Sequence, residues 1–270
     1  MNLKVLDYEV ERRVGVVTLN HPPVNALGVP FLEDFERILD LLQGSGDTRA
    51  LLIRSACPGF FSAGDDLESL RDLDERVLDM LPRAHAVLDA IEALPMPTVA
   101  CVNGQALGGG LELALVCDFR FLDRDTGRMG LPEIRLGMIP ALGGTQRLTQ
   151  IVGRAKGLEM MIKGRLVDPD EALDCGLVNA TKPTEELEGW SLDFAARLAQ
   201  QATEAIAHIK RCVHVGLAEG AAAGMAAERQ AFRQNILTND AREGVAAFLE
   251  GRKPVFGEEP ADGAQEESRE

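Results

Sequence analysis

PTVACVNGQALGGGLELALVCDFRF, residues 97–121, is the stretch that decides the fold. Residues 97–104 form an apolar run of strand type, and the glycines Gly108, Gly109 and Gly110 interrupt it. GGLELALVCD then takes helical spacing, and FRFLD (119–123) returns as a strand. A strand, a tight turn, a helix and another strand imply a right-handed crossover between parallel strands. The same alternation continues toward the N-terminus. RALLIRS (49–55) reads as a buried strand, and a helix is predicted over roughly 76–94. VPFLEDFERILDLLQG (29–44) sets Phe31, Leu32, Phe35, Ile38, Leu41 and Leu42 at helical spacing and stops at Gly44. Residues 3–10 and 14–19 read as a hairpin turning at Arg12–Arg13. The fold class is therefore α/β, with a mainly parallel sheet.

Beyond Gly143 helical periodicity dominates to residue 252, with one short strand expected near GLVNAT (176–181). No tandem repeat is visible. The chain divides into an α/β core over 1–200, a helical C-terminal region over 201–256, and an acidic tail over 257–270 expected to be disordered. Alanine-rich stretches such as EGAAAGMAAERQAF (219–232) are too apolar for a free helix and should cover a core or another subunit.

The formal net charge is −15, of which the tail GEEPADGAQEESRE carries six acidic residues against one Arg. Such a surface repels nucleic acid phosphates and anionic lipid, so neither is an expected partner. The five cysteines form no C-x-x-C pair, which argues against zinc and disulfide frameworks. The N-terminus MNLKVLDYEVERR lacks the apolar run of a signal peptide, and no stretch has the length of a membrane span. A cytoplasmic location is the expectation.

Two glutamates lie beside glycine-dense turns, Glu112 in GQALGGGLELA (104–114) and Glu133 in GLPEIRLGMIPALGGTQRL (130–148). A second turn, FFSAGDDLESL (60–70), reads as a strand, an Ala-Gly turn and a helix start. Two such turns, each offering an amide at a helix entrance, suit a two-donor oxyanion hole. Gly109 lets a ligand oxygen approach its N–H closely, and Glu112 follows one helical turn later. Each feature also has a plain structural reading. The glycines serve close helix–strand contact, Asp65 or Asp66 caps a helix, and each glutamate is a surface charge.

Other chemistries find little support. Leu113 stands where G-x-G-x-x-G needs its last glycine, and no P-loop occurs. Ser62 is not in a G-x-S-x-G elbow, and His21, His85, His208 and His214 lack metal-ligand spacing, so no metal is expected.

The ordered motifs FFSAGDDL, PTVACVNGQALGGGLELALVCDFRF, GLPEIRLGMIPALGGTQRL and KGRLVDPDEALDCGLVN resemble those of the crotonase superfamily, the enoyl-CoA hydratase/isomerase group. The resemblance runs from about residue 3 to FLEGRKPVF (248–256). It implies a spiral of repeated ββα turns and a C-terminal helical region that trimerises, often as a dimer of trimers, and covers the active site. It implies a thioester carbonyl held by the N–H groups of Asp65 and Gly109, with catalysis by Glu112 and Glu133. Contacts to the substrate or its coenzyme A portion are implied for Val24, Leu27, Ala63, Gly64, Asp66, Leu67, Gly108, Lys253 and Phe256. No tightly bound cofactor is implied, coenzyme A being part of the acyl-CoA substrate.

Members with both glutamates resemble syn-hydratases, in which Glu112 would activate water and Glu133 would protonate the α-carbon. An enoyl-CoA double-bond isomerase, a hydratase acting on carrier-protein-bound pantetheine thioesters, and a non-catalytic scaffold are the alternatives. Where many relatives have Asp65's place filled by Ala, this chain places a carboxyl. Where many carry cations for the nucleotide phosphates, it has His21, Pro23 and Glu68, leaving Arg71, Arg252 or Lys253 to compensate.

Overall fold

The computed structural model describes residues 2–44, 46–66 and 75–257. The chain separates into two compact units, Met1–Ala199 and Gln200–Glu270. In the first, β1 (Leu6–Glu11) and β2 (Val14–Leu19) form the antiparallel hairpin, paired from Leu6↔Leu19 to Glu11↔Val14. Arg12 and Arg13 turn it with φ of 54° and 65°, the left-handed pair of a type I′ turn, whose twist matches that of the strands. The first strand begins later than the sequence suggests. The buried Asp34 Oδ2 accepts from the amides of Lys4 (2.6 Å), Val5 (2.8 Å) and Leu6 (3.2 Å), and these bonds take the place of ladder bonds.

The chain then repeats one topological unit. After the hairpin come β3 (Ala26–Leu27) and α1 (Val29–Gly44). Next are β4 (Ala50–Ser55), the short β5 (Phe60–Ser62) and β6 (Gly64–Asp65), and α2 (Glu75–Glu92). β7 (Thr98–Val102), β8 (Gln105–Leu107) and α3 (Gly109–Leu115) make the third turn, and β9 (Phe119–Asp123) and β10 (Arg128–Gly130) open the fourth. A 3-10 turn, Glu133–Leu136, leads to α4 (Gly144–Val152), α5 (Arg154–Lys163), α6 (Pro169–Asp174), β11 (Ala180–Lys182) and α7 (Thr184–Leu198). One strand per turn joins a six-stranded sheet ordered β1-β2-β4-β7-β9-β11, parallel beyond the first pair. The short strands form two further parallel sheets, β10-β8-β5 and β3-β6. The ββα unit thus recurs although no sequence repeat announces it.

Both faces of the large sheet are covered, which is why its central strands read as unbroken apolar runs. Leu51, Ile53, Ala100 and Val102 point to a core shared with Phe35 and Ile38 of α1 and Val87, Leu88 and Ile91 of α2. Their neighbours Ala50, Leu52, Val99 and Cys101 point the other way, to Leu187, Ala195 and Trp190 of α7. The period of two along each strand divides the residues between the layers. Burying one such Leu or Ile contributes about 1.5–3 kcal/mol.

In FFSAGDDL the expected strand is β5, and a second short strand, β6, takes in Gly64 and Asp65. Asp65 lies in a strand paired to Leu27, and the helix start expected after it lies outside the described residues. The strand expected at 176–181 is confined to Ala180–Lys182, because Gly176 takes a left-handed φ of 74° and ends the preceding helical segment.

The second unit holds α8 (Thr203–Glu219), α9 (Ala221–Asn235) and α10 (Asn239–Glu250). Thr238 caps α10, its hydroxyl accepting from the Ala241 amide at 3.1 Å. Among the described residues no helix is long and apolar enough to cross a membrane.

Candidate active site

The short strands bring two glycine turns together. Gly64 has φ of 92°, and a Cβ there would stand 2.7 Å from the Leu107 carbonyl oxygen and 3.0 Å from the Gly109 nitrogen. Only glycine permits this approach of the 63–65 turn to the start of α3. The three glycines of 108–110 divide between structure and site. A Cβ on Gly110 would meet the Ser62 carbonyl oxygen at 2.4 Å, so that glycine serves close helix–strand contact. A Cβ on Gly108 would meet Glu133 Oε1 at 3.2 Å, and one on Gly109 would meet Asp65 Oδ1 at 3.1 Å. Gly109 is the first residue of α3, where the backbone N–H has no partner within the helix and the dipole favours negative charge.

A pocket of about 350 Å³ opens here, with Val24, Ala63, Asp65, Asp66, Gly108, Gly109 and Glu133 among its lining residues. All seven are residues singled out from the sequence. Ala26, Leu107, Pro132, Leu136 and Met138 complete its wall, and no motif marks them. Gly64 and Leu27 stand against Gly109, the latter with its Cδ1 3.2 Å from the Cβ position. Leu67, Glu68 and Arg71 lie outside the described residues. Lys253 and Phe256 belong to the second unit, where the Phe256 ring packs against Gly244. Arg252 is held there by Glu243 and Glu250, each at 2.6 Å.

Glu112 is only 1% exposed. Its Oε1 accepts from the amides of Leu142 (2.8 Å) and Gly144 (2.7 Å), and its buried Oε2 has no hydrogen-bond partner among the described residues. A Cβ on Gly144 would come within 2.8 Å of Oε1, so glycine makes room for the carboxylate. Burial pushes the Glu112 pKa up to about 7, with the charges of Glu133 and Asp65 adding to the rise and the two amide bonds opposing it. Glu133 opens the 3-10 turn, half-buried, and its Oε2 is likewise buried without a partner. Burial, then the Asp65 charge, raises its pKa as well. Asp65 is open to solvent at the pocket mouth, yet the surrounding walls still push its pKa up. Three carboxyls therefore share one site, close enough for their charges to interact. The repulsion falls hardest on Glu112, the most buried of the three.

His21, which stands where many relatives have a cation, turns inward to the loop. Its Nδ1 lies 3.0 Å from the Ala26 carbonyl oxygen.

Residues 9–259 match the family model for enoyl-CoA hydratase/isomerase. The chain belongs to that family, within the crotonase superfamily. This enoyl-CoA hydratase/isomerase family member is 35% identical over 257 residues to a probable enoyl-CoA hydratase of Bacillus subtilis, covering 94% of this chain and 99% of that one. It is 39% identical to the mouse mitochondrial enoyl-CoA hydratase domain-containing protein 2, over 89% of this chain and 83% of the relative. The crystal structure of an enoyl-CoA hydratase from Bacillus anthracis superposes with a TM-score of 0.89 at 32% identity, covering 94% and 99% of the two chains.

Proposed function

We propose that the protein is an enoyl-CoA hydratase that adds water in the syn sense across a 2-enoyl thioester. The observation that carries this reading is the pair of buried carboxyl oxygens without a partner among the described residues, Glu112 Oε2 and Glu133 Oε2. Glu133 lines the pocket with Gly109. Glu112, not itself a lining residue, lies near enough for the charges of Glu133 and Asp65 to act on it. Buried acceptors without a partner need an explanation, and for these two a water or ligand in the neighbouring pocket would supply it. The thioester oxygen would accept from the Gly109 and Asp65 N–H groups, which stabilise the enolate-like charge as it develops. Ionised Glu112 would take a proton from water through Oε2 while the water oxygen bonds to the β-carbon. Protonated Glu133 would deliver its proton to the α-carbon, leaving a 3-hydroxyacyl thioester. Burial and neighbouring charges raise both carboxyls, and Glu112 the more, so the free protein favours the proton on Glu112. Hydration then requires that proton to stand on Glu133 once substrate and water are bound.

The substrate on this reading is an acyl-CoA, and no tightly bound cofactor takes part. The exposed apolar residues of α8–α10 support a homotrimer or a dimer of trimers, and five free cysteines suit a reducing cytoplasm.

Incubation with crotonyl-CoA should give loss of enoyl absorbance, and Glu112→Gln and Glu133→Gln should each abolish it. No turnover of any short or medium enoyl-CoA would refute the hydratase reading. Activity surviving in one variant, with a shifted double bond, would favour an isomerase with a single dominant base.

A further inference from the structure

Glu112 is held in place by backbone that is itself held by side chains. The segment between the 3-10 turn and α4 has no ladder or helix of its own at residues 138–143. Of three consecutive peptide units there, all are held at the carbonyl, and the outer two donate their N–H to Glu112. The Ala141–Leu142 unit donates its N–H to Glu112 Oε1, and its carbonyl oxygen lies 2.7 Å from His85 Nε2, which must be the donor. The Leu142 carbonyl accepts from Arg147 Nη1 at 3.0 Å. The Gly143–Gly144 unit gives its N–H to Glu112, and its carbonyl accepts from the amides of Gln146 and Arg147.

Arg147, 13% exposed, is fixed in turn from α2. Its Nε and Nη2 donate to Glu92 Oε2 at 3.1 and 2.7 Å, and Nη2 donates to Asp89 Oδ1 at 2.7 Å. His85, Asp89 and Glu92 recur at helical spacing, so one face of α2 grips the whole segment. Gly143, at φ of 95°, leaves the clearance the guanidinium needs, since a Cβ there would fall 2.2 Å from Nη1. The two glycines of ALGGTQRL thus have separate reasons: Gly143 admits Arg147, and Gly144 admits Glu112.

We infer that Arg147, braced by Asp89 and Glu92, is a positioning residue for Glu112. It fixes the amides that hold Oε1, so that Oε2 alone is presented to the substrate. A lysine carries its three donors on one nitrogen and has no rigid fork, so it cannot span Leu142, Glu92 and Asp89 as Nε, Nη1 and Nη2 do. The inference rests on the proton-transfer role proposed for Glu112. Toward the pocket Glu112 faces Glu133 and Asp65; from α4 and α2 the charged or titratable neighbours are Arg147, Glu92, Asp89 and His85, which reach it only through the 141–144 backbone.

The test compares the full chain with Arg147→Met, Arg147→Lys and Glu92→Ala. It reads kcat and KM for crotonyl-CoA against pH, and titrates the Glu112 carboxyl by 13C NMR, assigned by its loss in Glu112→Gln. Misplacing a reacting group by about 1 Å costs on the order of a hundredfold in rate. Arg147→Met should therefore lose about tenfold to a hundredfold in kcat with KM nearly unchanged. Because the amide bonds lower the Glu112 pKa, loosening them should move its titration and the acid limb of kcat to higher pH. Arg147→Lys should recover part of both effects, and Glu92→Ala should shift both in the same direction by less. A folded Arg147→Met with wild-type kcat and Glu112 titration would overturn the inference. If that variant does not fold, an unchanged Glu92→Ala would do the same. A wild-type protein without hydratase activity would sink the functional reading instead, and the titration would still decide the positioning.

Discussion

At Glu112 two opposing effects meet, and their sizes decide what the residue can do. Burial favours the neutral acid, while two amide donors favour the carboxylate, and burial wins by enough to bring the pKa to about 7. A rise from 4.5 to about 7 corresponds to roughly 3 kcal/mol lost from folding once the pH exceeds the folded value. The sign follows from proton counts. Between the two values the folded state binds more protons than the unfolded chain, so stability declines as pH rises through that window. Glu112→Gln keeps the acceptor for Leu142 and Gly144 and cannot ionise. It should melt several degrees higher than wild type at pH 8 and show no such gain near pH 4, read by thermal unfolding at both. Asp65 offers a second test. Its charge raises the pKa of both Glu112 and Glu133, so Asp65→Ala should move both limbs of the kcat profile to lower pH. A profile that stays in place would remove Asp65 from the electrostatics of the site.

Among the elements, the type I′ turn of the β1–β2 hairpin uses arginine where glycine is preferred. Arg13 at φ of 65° bears the cost of a left-handed side chain, and Arg12 also pairs with Asp193 at 2.5 Å. Arg13→Gly, leaving that pair intact, should stabilise the protein by about 0.5–1 kcal/mol in urea unfolding. What was legible in the sequence sorts by length and by the kind of group involved. α1, α2, β4, β7 and β9 announce themselves because their apolar periods persist over several residues. The strands β3, β6, β8 and β10 have two or three residues each, and pairing with distant partners defines them, so no local pattern marks them. The pocket repeats this division. Glu112, Glu133 and Gly109 stood out beside glycine turns. The Leu142 and Gly144 amides did not, because a backbone donor has no side-chain signature. The Gly143–Gly144 doublet, four and three residues before Arg147, was the available clue.

On the scale of the whole molecule, a large sheet covered on both faces leaves the smaller sheets to bring the glycine turns of the pocket together. On the proposed mechanism, catalytic geometry would rest on main-chain amides at Gly109, Leu142 and Gly144. In the C-terminal unit Phe248 is 84% and Leu249 78% exposed, large apolar side chains of the kind that association covers. Phe248→Glu should lower the mass measured by sedimentation if these helices form the proposed trimer, and an unchanged mass would place the interface elsewhere. The central claim is that two carboxyls exchange protons with water and an α-carbon over one backbone oxyanion hole. Hydration of crotonyl-CoA in D2O, with the product read by NMR, tests it most directly. The account predicts 3-hydroxybutyryl-CoA with one deuteron at C2, added to the same face as the hydroxyl at C3. A product with a displaced double bond and no oxygen at C3, or no reaction at all, would contradict it.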